Sequence, residues 1–168
     1  MDRTELRARQ APLKHKFREA PAAALVTSSG VARLDPSGDY SVVPTWAGDV
    51  RAGLHPATGG DGTYACSADI LLQAVASCAA VTLNSVALAM GVTLRRAEVR
   101  AEGEWDARGT LGIARDVPVG LKTVRLVFDL ETDADDKTKA RLVELSERYC
   151  VVFQTLKHPP ETTAALKT

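Results

Sequence analysis

Residues 70–94 contain no charged side chain, and Asp69 is the one charge between Ser67 and Leu94. A stretch of that length has two ways of leaving water. It can cross a bilayer as a helix of about 20 apolar residues, or it can lie enclosed at the centre of a packed domain. Gln73, Ser77, Thr82, Asn84 and Ser85 interrupt the run, and neither a polybasic flank nor a second span accompanies it. We therefore expect a core helix and no membrane partner. The helix should run from about Asp69 to Met90, capped by Ser67 or Asp69 and stopped at Gly91. Leu71, Val75, Cys78 and Thr82 fall on one side at helical spacing, with Ala74, Val81 and Ser85 beside them. That side is the expected inward face.

A helix apolar nearly all round must be covered on every side. A chain of 168 residues, 45% of them apolar, can bury a substantial core in one domain. It has little material left to enclose such a helix completely, so we expect a homodimer. Lys plus Arg equals Asp plus Glu at 21 each, which gives no basic excess for nucleic acid. The N-terminus stays charged through Glu19 and lacks the apolar core of a secretory leader. With only three cysteines, a reducing cytoplasm is the expected compartment.

Residues 1–21 read as a polar arm, with Arg3–Arg9 and Lys14–Glu19 helical on either side of Pro12. Residues 22–168 read as one domain. Ala24–Leu34 and Tyr40–Pro44 are expected strands across the turn at residues 35–39, and Asp49–Leu54 is a third. His55–Thr63 is a glycine-rich loop, but no Gly-Lys-Ser/Thr follows, so it is not a phosphate loop. Arg95–Trp105 alternates, with Ala97, Val99, Ala101, Gly103 and Trp105 on one side. In Leu121–Leu130 the inward set is Val124, Leu126, Phe128 and Leu130. Asp133, Asp135 and Asp136 open a final helix at its positive end, with Leu142, Leu145 and Tyr149 as its buried stripe. The order strands, long helix, strands, helix indicates an α+β fold.

Two residues carry candidate chemistry. Cys78 lies inside the apolar helix, and Cys150 directly follows Tyr149. A cysteine thiolate is a nucleophile; oxidised to a sulfenic acid, it condenses with a neighbouring thiol to a disulfide. On the residues alone two readings stay open: a redox pair, or two thiols packed as small hydrophobes. Cys78 lies more than two turns inside its helix, beyond the main reach of the helix dipole. Cys66 stands twelve positions earlier, about 18 Å along a straight helix where a disulfide needs about 7 Å, and reads as a bystander. His15, His55 and His158 are scattered without partners at metal-ligand spacing. They also leave Cys78 without a clear base for hydrolase chemistry. Trp46 and Trp105 read as packing residues or the wall of a pocket.

From about Ala23 to Leu156 the sequence resembles the OsmC/Ohr family, the osmotically induced and organic hydroperoxide resistance proteins. The resemblance is carried by Gly59-Gly60, by Asp69-Ile70-Leu71-Leu72-Gln73-Ala74-Val75-Ala76-Ser77-Cys78, by Val81-Thr82-Leu83 and Met90-Gly91-Val92, and by Glu147-Arg148-Tyr149-Cys150. It implies an intertwined homodimer with antiparallel sheet around central helices. It also implies a thiol peroxidase acting on organic hydroperoxides or hydrogen peroxide, recycled by an external dithiol, with no metal or bound cofactor. Cys78 would then be the peroxidatic thiol and Cys150 the resolving thiol. An arginine from the N-terminal strands would hold the thiolate, with Arg51 the first choice and Arg33 the second. The sequence departs from the family pattern at three points. Ser67-Ala68 stands where a Pro-Glu pair is usual; Asp69, one position later, points about a hundred degrees away. Val151 replaces a proline often found after the resolving cysteine, and no motif fixes the arginine. The missing glutamate motivates an alternative: a stress-associated or small-ligand-binding protein of the same fold with weak or no peroxidase activity.

Overall fold

The Asp2 carboxylate accepts the Glu5 N–H at 2.8 Å and starts the first helix, α1 (Arg3–Glu19). The computed structural model describes residues 2–167. α1 runs through Pro12 as a single helix instead of breaking there, giving up one backbone hydrogen bond. A short 3-10 turn (Pro21–Ala24) follows. The strand expected over Ala24–Leu34 shrinks to β1 (Arg33–Leu34), and residues 25–32 have no regular structure.

β1, β2 (Tyr40–Thr45) and β3 (Gly48–Gly53) form an antiparallel meander. The turn between β1 and β2 is built by Asp35, whose carboxylate accepts from Ser37 N–H and Oγ, and by Gly38 at φ 82°, a backbone region that glycine enters freely. β4 (Ala65–Cys66) adds to β3 in parallel, pairing Gly53 with Cys66. The long helix α2 (Ser67–Met90) follows at once, two residues earlier than the sequence suggests, and ends at Gly91 with φ 73°. β5 (Arg96–Glu104) and β6 (Thr123–Glu131) form a second, two-stranded sheet. The Arg95 N–H donates to Glu131 at one end of it, and the Lys122 N–H to Glu104 at the other. Between these strands lies one turn of helix, α3 (Ala107–Thr110). α4 (Asp136–Tyr149) and α5 (Val151–Lys157) complete the fold, which is α+β as expected.

The chain divides into two compact units: Met1–Gln73 with Ala101–Leu126, and Ala74–Arg100 with Val127–Thr168. α1 belongs to the first. The core of the second unit is Leu83, Val86 and Ala87 of α2 with Leu142 of α4. Val99, Phe128 and Leu130 of the strands and Leu145 of α4 pack against it. The alternation read in β6 holds: Val124, Leu126, Phe128 and Leu130 are half-buried, and the residues between them are mostly exposed. In β5 only Ala97 departs from the expected inward set, being exposed.

α2 is long and apolar enough to cross a membrane by length and composition alone, a test that core helices also pass. Its buried stripe is Val75, Ala79, Leu83, Val86 and Ala87. That stripe is displaced from the expected one: Leu71, Ala74 and Val81 are exposed, and Cys78 lies half-buried at the margin. Hydrophobic periodicity located the helix; it could not choose among faces that are all apolar.

Candidate thiol site

α4 delivers the second thiol. The Asp135 carboxylate accepts the Thr138 N–H at 2.8 Å and caps the helix, which holds its carboxyl below the ordinary range. The residues facing the core are Leu142, Ser146 and Cys150, each fully buried. Their spacing of four follows one helix face. The expected stripe put Tyr149 inward; it is exposed instead, with the Arg148 guanidinium over its ring. Ser146 takes the core position because its hydroxyl donates to the Leu142 carbonyl at 2.6 Å. A buried hydroxyl satisfied within its own helix carries little penalty. A serine four positions before a cysteine is the available signal, but by residue type serine reads as surface.

Cys150 itself is not helical. Its backbone is extended (φ −76°, ψ 101°) between α4 and α5. The Cys78 thiol is near enough to act on its sulfur. Burial pushes the Cys150 thiol up; the Cys78 thiol adds to the rise, and the N–H groups of Phe153 and Val152 oppose it. A raised thiol stays protonated at neutral pH. Cys78, half-buried, is the accessible partner, and both are free thiols. Residues 72 positions apart in the chain are thereby brought together in the second unit.

The other candidate residues belong to the first unit. Arg51 is an exposed residue of β3, its guanidinium 5.6 Å from the centre of the Tyr40 ring; the Asp35 carboxyl is lowered mainly by its hydrogen bonds from Ser37, and Arg51 adds least. Arg33 is exposed on β1. Asp69 is half-buried in the first turn of α2. Trp46, expected to pack or to wall a pocket, is fully exposed.

The first unit also contains a cleft of about 370 Å³ that the sequence did not reveal. Leu54, His55, Cys66, Leu71, Trp105 and Leu121 are among its walls, and no Asp, Glu, Lys or Arg lines it. The His55 ring stands edge-on to Trp105 at 5.2 Å. Its Nδ1 accepts the Ala57 N–H at 3.0 Å, so the neutral ring carries its hydrogen on Nε2. Here Trp105 is a pocket wall, one of the two roles read for it.

Comparison with known proteins adds the following. A family model described as OsmC-like protein matches residues 60–165. A search of curated proteins finds no match. Among solved structures, the OsmC-like protein from Mycoplasma pneumoniae is similar at a TM-score of 0.68 and 15% identity, over 80% of this chain and 89% of that one. An organic hydroperoxide resistance protein from Elizabethkingia anophelis is similar at 0.64 and 16%, over 81% and 91%. The organic hydroperoxide resistance protein OsmC from Legionella pneumophila is similar at 0.53 and 16%, over 80% and 93%.

Proposed function

The chain belongs to the OsmC-like protein family, and from that premise we propose that it is a thiol-dependent peroxidase working through Cys78 and Cys150. The Cys78 thiolate attacks the distal oxygen of a hydroperoxide. The O–O bond breaks, alcohol or water departs, and Cys78 becomes a sulfenic acid. The Cys150 sulfur then attacks the Cys78 sulfur. Water leaves, and a disulfide remains that an external dithiol reduces by exchange. What supports the reading is the nearness of the two thiols, one half-buried and one fully buried. The accessible sulfur suits contact with oxidant. The buried one, kept protonated, is spared from direct oxidation until the sulfenic acid forms beside it.

Arg51 is the proposed cation at Cys78, where positive charge favours the thiolate. We assign its approach to a homodimer. Leu25, Val26, Val31 and Leu34 of the first unit expose large apolar side chains, as does Val81 of the second, surface of the kind a second copy would cover. A cytoplasmic protein served by a dithiol reductant fits this chemistry. Mass spectrometry after one equivalent of cumene hydroperoxide tests the reading: a peptide pair linked through Cys78 and Cys150 is expected. Linkage through Cys66 instead, or none, would overturn it.

The uncharged cleft favours a second reading, a protein that holds a small neutral ligand and has weak peroxidase activity. An uncharged cleft with an aromatic wall, an imidazole and the hydroxyl residues Thr58, Ser67 and Thr110 in its lining suits a ligand with little charge. In a Trp46→Phe background, 2-naphthol should quench Trp105 fluorescence and 2-naphthoate should not. Quenching by neither removes this reading.

A further inference from the structure

The whole chain is neutral, but its charge is unevenly placed. Residues 2–19 hold six of the 21 Lys and Arg and three of the 21 Asp and Glu, so this segment is net +3 and the rest of the chain net −3. The sequence pattern splits the segment at Pro12. In the structure α1 passes through Pro12 as one helix, and that continuity puts its two halves in a single register. At 3.6 residues per turn, Arg3, Arg7, Lys14 and Arg18 fall within about 60° of arc, in a row about 22 Å long. All four are exposed. Glu5 and Glu19 lie about 100° or more away from the row, and Glu5 is paired with Arg9 at 2.6 Å. Among the described residues none of the four joins an ion pair, whereas in the second sheet Arg96 is matched by Asp129 and Arg125 by Glu102. Helix stability does not account for the row either. Arg18 suits the negative end of α1, but Arg3 stands in the first turn, where a positive charge is unfavourable.

We propose that this row is a docking surface for duplex DNA, held through its phosphates without recognition of the bases. Lysine and arginine that neutralise phosphates release the counterions condensed on the duplex, and this release supplies the affinity. The balance of the whole chain hides the feature, because what matters is how basic residues are distributed on one face. The row is long and narrow. It suits a linear polyanion, and it runs past about six phosphates of one strand at about 3.4 Å each along the duplex. A lipid surface fits less well, because it takes up the apolar face of a helix. Of the large apolar residues of α1, Leu6 is buried and Phe17 half-buried, and only Leu13 is exposed. A single strand fits less well for another reason: it is held by stacking on aromatic rings, and Phe17, half-buried, is the only Phe, Tyr or Trp in α1. The net negative charge of the rest of the chain turns α1 toward the duplex.

The test follows the fluorescence anisotropy of a labelled duplex of about 20 base pairs as the full chain is added, at about 50 and about 200 mM salt. Four phosphate contacts predict an affinity that falls about 150-fold between these conditions, and three contacts about 40-fold. The deciding variant is the swap Arg7→Ala/Ala8→Arg. Both positions are exposed, composition and net charge are unchanged, and the cation moves about 100° off the row. Wild type should show the steeper fall and the swap the shallower one, with weaker binding at the lower salt. Lys137→Ala, which removes an exposed lysine of α4, should match wild type. No binding at the lower salt would overturn the proposal, as would a swap as steep as wild type or a Lys137→Ala variant as shallow as the swap. Tighter binding to one strand of the same duplex, or to vesicles of equimolar phosphatidylserine and phosphatidylcholine, would also overturn it.

Discussion

The fully buried Cys150 thiol is raised first by its burial and further by the half-buried Cys78 thiol nearby. The burial that hides the Cys150 thiol also raises it, which sets it apart from a thiol in the unfolded chain.

That difference predicts a pH dependence. The folded state raises the Cys150 thiol above its unfolded value and so binds its proton more tightly. The resulting stability is fully present below the unfolded thiol pKa of about 8.5 and is lost as pH rises through the folded value. Urea titrations of the reduced protein should show stability falling from about pH 8.5 upward, and Cys150→Ala should reduce that slope. An unchanged slope would mean that another group is responsible.

Leu142 has no exposed surface and sits in the centre of the second unit's core. Leu142→Ala should cost about 2–5 kcal/mol through lost burial and the cavity left behind. Tyr149→Ala, on the exposed side of the same helix, should cost under about 0.5 kcal/mol. Equal losses in chemical denaturation would mean that α4 faces the core as its sequence first suggested.

Gly60 is constrained by close approach. A Cβ built there would stand only 1.9 Å from the Leu54 carbonyl oxygen, and the Gly60 N–H donates to the His55 carbonyl at 3.1 Å. Gly60→Ala should destabilise by about 1–3 kcal/mol and alter Trp105 fluorescence by shifting His55. A variant as stable as wild type, with an unchanged spectrum, would contradict this geometry.

What the sequence made legible was periodicity. The uncharged run marked α2, alternation marked β5 and β6, and turn chemistry at Asp35 and Gly38 marked the β1–β2 corner. Where it failed, the deciding interaction lay outside the local pattern. Residues 24–34 read as a strand by composition, yet only Arg33 and Leu34 find partners, in Val42 and Ser41; an apolar run does not specify what will pair with it. The inward face of α2 was misplaced because its faces differ little in polarity. Both cysteines were visible as candidates, but neither the break at Cys150 nor the bond from Gln154 back to Glu147 has a sequence signature. Arg51 was chosen as a cation by its strand alone, and β3 holds it over Tyr40.

The most direct measurement is a count of free thiols after one equivalent of cumene hydroperoxide, in wild type and in each single Cys→Ser variant. Wild type should lose two thiols, Cys150→Ser one, and Cys78→Ser none, while Cys66→Ser still loses two. A wild type that keeps all three thiols, or a Cys78→Ser variant that still loses any, would contradict the account.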